Sequence, residues 1–578
     1  MPHSPKRTLS RYLLASCLAV VVLPRSGEVA AQAIPSDFDQ QQLLLQQERE
    51  RVQRERLESR PDVRLEAPAQ DAGQRLPENE APCFRIDDIQ LVGERAEDFQ
   101  WALRAANPSS DPALGRCLGG RGINLTIARI QDAVVARGFI TTRVLAESQD
   151  LNSGKLVLTV IPGVIDAIRI APGSSPLVSV WNALPAAPGE LLNLRDIEQG
   201  LENLKRAPTA DADIQIEPAR RERAGPGASD LVIQWRQRFP ARLSLSLDDS
   251  GSDSTGKYQG SIAVSLDHLW HANDLFYASY SHDLGGGNPG DKGTEGHSLH
   301  YSVPFGYWTL AASLNVYDYF QSVVGANQTY RYSGESENAE IKLSRILYRD
   351  AARKTQMALT GWERASKNHI DDTEILVQRR RMAGWELSFG HREYLGSAVF
   401  DVGLNYKRGT GARGSLPAPE ELFDEGTAQP TIISAHAQLS YPFALGDWRL
   451  RYQPSWRAQW NRTRLIPQDR FSIGGRHTVR GFDGENILSA ERGWLVRQEL
   501  ALALGRTGQE VFWGVDHGQV SGPTAEKLIG THLTGVALGL RGGYRDLSYE
   551  CFVAAPLDKP RQFATADVTG GFNLNWSY

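Results

Sequence analysis

Arg480 and Asp516 are the residues whose types and surroundings invite one definite piece of chemistry, a guanidinium–carboxylate fork. The arginine lies in FSIGGRHTVRGFDGE (471–485), a stretch too rich in glycine and charge for a lipid-facing strand, so 462–492 reads as a long loop. Thirty-six residues after Arg480 comes Asp516, within the strand-like VFWGVDHG (511–518). A period of two puts Val511, Trp513 and Val515 on one face, and Asp516 and Gly518 on the other. An arginine folded into a protein interior is costly unless a carboxylate meets it, and a bidentate fork is the strong form of that contact. Gly481 and Gly518 would leave room for close approach. On residue types alone a second reading stands equal to this one, with Arg480 solvated and Asp516 lining water. His477, Asp483 and His517 form no spacing that names a hydrolase, and they read as polar loop or lumen residues. No C-x-x-C occurs, which argues against structural zinc. The expectation is a protein that is not an enzyme and holds neither cofactor nor metal.

The wall that would carry Asp516 is residues 239–578, where period-two segments alternate with Gly-, Asp- and Asn-rich turns. Leu243, Leu245 and Leu247 oppose Ser244, Ser246 and Asp248. Farther on, Trp494, Val496, Leu500, Leu502 and Leu504 oppose Arg497 and Glu499. One apolar and one polar face over so long a run fits a transmembrane β-barrel with lipid outside and water inside. A soluble sandwich of this size would break into several domains. At about 21 residues per strand and turn, the segment holds roughly 16 antiparallel strands. The last strand ends on Trp576 and Tyr578, an aromatic terminus of the kind outer-membrane barrels carry, and the barrel assembly machinery is the partner it implies.

Upstream, Lys6, Arg7 and Arg11 precede the apolar stretch 13–23 and the small residues Ala30, Ala31 and Ala33. That is a signal peptide (1–33), cleaved near Ala31 or Ala33. Within 34–60 the run QQQLLLQQERERVQRERLESR (40–60) reads as a polar helix, with Glu50–Arg54, Arg51–Glu55 and Arg54–Glu58 spaced to pair. Such a helix cannot span lipid but could stand in a polar cavity. Residues 61–82, with four prolines, read as an extended linker. A strand–helix–helix–strand–strand pattern then occurs twice, over 83–162 and 163–238. The first copy has strand 84–93, helices 98–107 and 125–137, and strands 139–146 and 155–161. The second has strand 164–170, helices 177–184 and 194–206, and strands 214–218 and 231–235. Asn124 and Asn193 are placed as N-caps. Cys83 and Cys117 share the first copy, and an oxidising compartment would let them join. The net charge of −5 is mild and argues against nucleic acid as a partner.

The tetrad Val479, Arg480, Gly481, Phe482 and the strand bearing Asp516 and Gly518 resemble the paired signature of the Omp85 superfamily. The two repeats look like POTRA domains. With the polar N-terminal helix, the chain resembles TpsB transporters of two-partner secretion, and among them the filamentous-haemagglutinin transporters. PCFRIDDI (82–89), GFITTRV (138–144) and LSLSLDDSGSDSTGKYQG (243–260) support the match, which covers essentially the whole mature chain. The resemblance implies a 16-stranded barrel in the outer membrane of a Gram-negative bacterium, with periplasmic POTRA domains, an in-folded loop and a plug helix. It implies as partner a secreted TpsA exoprotein, caught through its N-terminal secretion domain. An Omp85 assembly factor would usually carry more POTRA units, and a passive porin would not need two periplasmic domains. Export coupled to activation of a cytolysin is a variant within the family.

Overall fold

The computed structural model describes residues 38–58, 61–65, 74–221 and 225–578. The signal-peptide expectation, residues 1–33, lies outside them.

Alternation closes the C-terminal part into a barrel because every edge N–H and C=O must find a partner in lipid. All neighbours pair antiparallel, from Ala241–Asp248 round to Thr569–Ser577. Sixteen staves result once two short pieces are assigned to their hosts. Trp448–Tyr452 and Ser455–Asn461 form one stave, and Thr373–Glu374 only finishes a hairpin. Leu245, Ile341, Leu404, Trp513 and Val515 stand exposed on the outside. The seam is shorter than the other joints. First and last strands pair from Asn573↔Asp248 to Ser577↔Ser244, with two last backbone bonds between Leu243 and Tyr578, whereas Trp308–Val324 pairs with Thr329–Arg349 along its whole length.

Each repeat upstream is a three-stranded sheet with a helix on it. The first orders Asp88–Val92, Lys155–Ile161 and Arg143–Leu145, the second Val164–Ile170, Ala228–Gln237 and Ala210–Pro218, and in both the first two strands run parallel. Separate cores hold them, around Phe99, Ile130 and Leu158 in one and Leu192, Leu231 and Trp235 in the other. Cys83 and Cys117 are joined, Cα atoms 5.3 Å apart.

Several expected elements differ. The helix expected at 98–107 is a 3-10 helix, Ala96–Ala106. The strand expected at 139–146 keeps only Arg143–Leu145, since residues 139–142 turn back, Thr142 N–H to the Phe139 carbonyl. No helix forms at 177–184, a short segment bracketed by Pro176 and Pro185 whose polar groups bond to the barrel instead. Asn193 does cap its helix, Leu194–Leu204, accepting from the Arg195 N–H. Asn124 does not, because that helix begins five residues earlier as Gly120–Ala136. Its free N–H groups are met by Glu80, whose carboxylate accepts from Gly119, Arg121 and Gly122 at 2.7–3.0 Å. Glu80→Ala is expected to destabilise this helix start by about 1 kcal/mol. Hydrogen exchange at amides 119–122 of the full chain should speed up while the Leu194–Leu204 helix stays protected.

Glu80 also shows that the linker is partly docked. Leu76 is buried in the first core, and its N–H donates to Asp111, 2.8 Å. That bond, with Arg129 beside it, holds the Asp111 carboxyl below its ordinary range. The depressed pKa means this contribution is present at neutral pH and lost as pH falls through the carboxylate range.

Candidate functional site

The loop folds into the barrel as a hairpin. Phe471–Ile473 pairs with Leu488–Ala490, and the tip between them lies against the inner wall. Ile473, Val479 and Phe482 pack on Leu495, Val520 and Leu533 of the wall, and Phe482 meets Phe563 edge to face at 5.7 Å. Val479 and Phe482 thus pin the tip on either side of Arg480. Gly481 has φ +108°, and a side chain there would meet the Ala555 carbonyl at 2.4 Å. The wall answers with a glycine groove. A Cβ on Gly518 would stand 2.9 Å from Ile473, and one on Gly514 only 2.2 Å from the Arg480 guanidinium. A Cβ on Gly535 would fall 1.7 Å from the Arg480 carbonyl.

In that groove Arg480 and Asp516 form the fork, both nearly fully buried, on the strand Gln509–Ser521. Arg480 Nε donates to Asp516 Oδ2 at 2.7 Å, Nη2 to Oδ1 at 2.8 Å, and the backbone N–H adds a third bond at 3.0 Å. Nη1 donates to Glu499 Oε2 at 2.8 Å; Glu499 Oε1 then meets Arg541 at 2.7 Å, and Arg541 reaches Glu510 at 3.1 Å. Glu499 was read from sequence only as a polar-face residue, and Arg541, Gly514 and Gly535 were not singled out, although the same period-two count places each on the lumen face. His517 points the other way, outward, with its ring 5.3 Å from Trp494.

A second arginine of the loop reaches the seam. Arg476 Nη1 donates to Asp249 Oδ1 at 2.7 Å and Nη2 to the Phe572 carbonyl at 3.4 Å, while the Phe572 N–H donates to the same Asp249 oxygen at 2.9 Å.

The N-terminal helix, Phe38–Leu57, runs through the lumen; its 20 residues span about 30 Å. Gln42 exchanges hydrogen bonds with Ser252 and Thr255 at one mouth. Arg49 reaches Ser250 and Gln259, and Arg56 reaches Asn575. Among the described side chains of the helix, Leu57 alone joins an apolar cluster with the wall, alongside Ala263 and Tyr277. Of the three expected internal pairs, Arg51–Glu55 forms at 2.7 Å, while Arg54 reaches Glu340 of the wall at 3.8 Å and Glu58 lies 3.2 Å from His300. Helix and loop share Arg457, which donates to Glu48 of the helix and to the His477 carbonyl, each at 2.8 Å. Gln41 also donates to the Gly484 carbonyl.

At the opposite mouth the helix Leu194–Leu204 of the second repeat meets the barrel through buried charges. Arg349 donates to Glu198 at 3.0 Å and Glu202 at 2.9 Å, and Lys354 reaches Glu202 at 2.6 Å. The same carboxylates accept the linker's N–H groups, Val63 at 3.1 Å and Leu65 at 2.8 Å, and Arg349 also holds the Val63 carbonyl. Nearby, burial and the charge of Glu190 lift Asp196 to about 6 against the Tyr307 hydroxyl that donates to it at 2.6 Å. Because this pKa is raised, its contribution to docking is full at acid pH and declines as pH rises through about 6.

A profile described as "Haemolysin secretion/activation protein ShlB/FhaC/HecB" matches residues 227–542, a "POTRA domain, ShlB-type" 84–163 and a "POTRA domain" 164–218. "Outer membrane transporter CdiB-2" of Burkholderia pseudomallei is 34% identical, covering 98% of this chain and 99% of the relative. "Hemolysin transporter protein ShlB" of Serratia marcescens is 24% identical over 89% of each. The solved structure "CdiB from Acinetobacter baumannii" superposes with a TM-score of 0.82 at 30% identity, covering 95% of this chain and all of that one. Fold, site and relatives together define an outer-membrane transporter with periplasmic POTRA domains. The chain belongs to the ShlB/FhaC/HecB family, the TpsB transporters, whose members are transporters and act with secreted TpsA-like proteins.

Proposed function

We propose that this transporter moves one large exoprotein of the filamentous-haemagglutinin-like TpsA class from periplasm to cell surface through its own barrel. The observation that carries the reading is the filling of the lumen. The helix is held there almost wholly by polar contacts, which water replaces at little cost, and it hangs on a linker that leads back to the POTRA domains. The N-terminal secretion domain of the client would add a strand to a POTRA sheet edge, a mode that asks little of its sequence. The Tyr578 end would present the barrel to the assembly machinery.

Deletion of residues 38–57 tests the plug. In planar bilayers the shortened protein should show larger and steadier conductance than the full chain; equal conductance would mean that the helix does not obstruct the pore. Disruption of the transporter gene should abolish secretion of a single exoprotein and leave other outer-membrane barrels at normal abundance. General depletion of barrels would point to an assembly factor instead.

A further inference from the structure

The loop 177–184, which replaces an expected helix, places an exposed tryptophan beside the barrel's lipid-facing rim. Trp181 is 71% exposed, yet its loop is firmly held. Buried Asn182 donates to the Pro304 carbonyl at 3.0 Å and accepts the Gly306 N–H at 2.8 Å. Asn273 donates to the Ser179 carbonyl at 2.7 Å, and the His268 ring bonds the Leu177 carbonyl at 2.8 Å. These partners are the turns at the POTRA end of the barrel.

The direction of Trp181 follows from Phe305, whose ring lies 5.7 Å away. Phe305 closes the strand Lys292–Phe305 on the same face as Leu299, which is exposed towards lipid, and it pairs with exposed Trp308. Trp270, 71% exposed, projects from the neighbouring turn. Arg345 lies over Trp308 at 4.9 Å, a cation beside the same group of aromatic rings. Aromatic rings with a polar edge gather at the headgroup layer of membranes, and basic side chains snorkel to the same depth. Trp181 therefore continues a belt that begins on the barrel itself.

We propose that loop 177–184 of the second POTRA domain is a membrane-contact element, with Trp181 seated in the headgroup layer of the periplasmic leaflet. The domain is thus fixed against the lipid surface as well as against the barrel.

The test uses the full chain with Cys551 replaced by Ser, in nanodiscs of phosphatidylethanolamine and phosphatidylglycerol. A nitroxide is placed at Trp181→Cys or, as control, at Gln215→Cys on an exposed edge strand of the same domain. The ratio of oxygen to aqueous nickel accessibility should be several times higher at 181 than at 215. Equal ratios would overturn the proposal. So would shielding at 181 that comes only with the client's N-terminal segment, or only with rising protein concentration; these identify the client or a second copy as the occupant. Should Trp181→Cys fail to fold, brominated phospholipids provide a second measurement. Trp181→Phe should remove part of the quenchable tryptophan emission, and an unchanged quenchable fraction would sink the idea.

Discussion

Arg480→Ala is expected to free the loop from the wall and to reduce secretion of the client severely, in a barrel that still assembles. The substitution removes three charge-assisted side-chain bonds and leaves Asp516 buried at 1% exposure. Breaking a buried pair from one side costs about 3–5 kcal/mol, and the loss is expected near the lower end because Arg497 still faces Asp516 at 3.6 Å. At about 1.4 kcal/mol per decade the docked loop would become roughly a hundredfold or more less favoured. Hydrogen exchange across 471–485 should rise accordingly, while the wall strands remain protected. Arg480→Lys should recover little, since an ammonium cannot fork onto both Asp516 oxygens and Glu499 together. The apolar pair Arg480→Met with Asp516→Leu should restore docking of the loop, as it removes both charges at once. Normal secretion by Arg480→Ala with normal assembly would refute the idea that this pair controls transport.

The second large effect is expected at the periplasmic mouth. Arg349→Ala should unfasten the second POTRA domain from the barrel and release the linker in the same step. Arg349 holds Glu198, Glu202, Gln199 and the Val63 carbonyl, and the two carboxylates it would abandon are almost wholly buried. Lys354 still faces Glu202, so the loss is expected near the lower end of the roughly 3–5 kcal/mol range for a broken buried pair. Protease cutting near residues 236–240, and a wider spread of distances between spin labels on POTRA domain and barrel rim, would report it. Unchanged cutting and distances would show that the remaining contacts suffice. Loss of the linker's hold should also shift the plug helix, seen as greater conductance in planar bilayers.

The barrel was legible because lipid and water on its two faces impose an alternation that survives in the residues themselves, as at Leu243, Leu245 and Leu247. Parity alone carried Asp516 and Gly518 to the lumen. What sequence could not rank was which other lumen charges cluster round Arg480. Glu499 and Arg541 sit on different strands, and their meeting depends on register across the sheet. The helix expected at 177–184 failed for another reason, tertiary bonds outweighing local preference over eight residues. Glu80 was invisible as a cap because it lies 39 residues before the first N–H it satisfies. The linker read as an extended tether on composition, and the partners of Leu76, Val63 and Leu65 reveal where it lies down.

Arg476 gives the loop a reach beyond the cavity it fills. Its guanidinium sits where the pairing of first and last strands stops, holding Asp249 from one side and Phe572 from the other. A loop that withdrew would therefore take its own tie across the shortest joint with it, leaving the Phe572 N–H on Asp249 and the backbone pairing to hold the seam. Plugging and bracing are thus one act here: the segment that fills the passage also shores up the shortest joint in its wall.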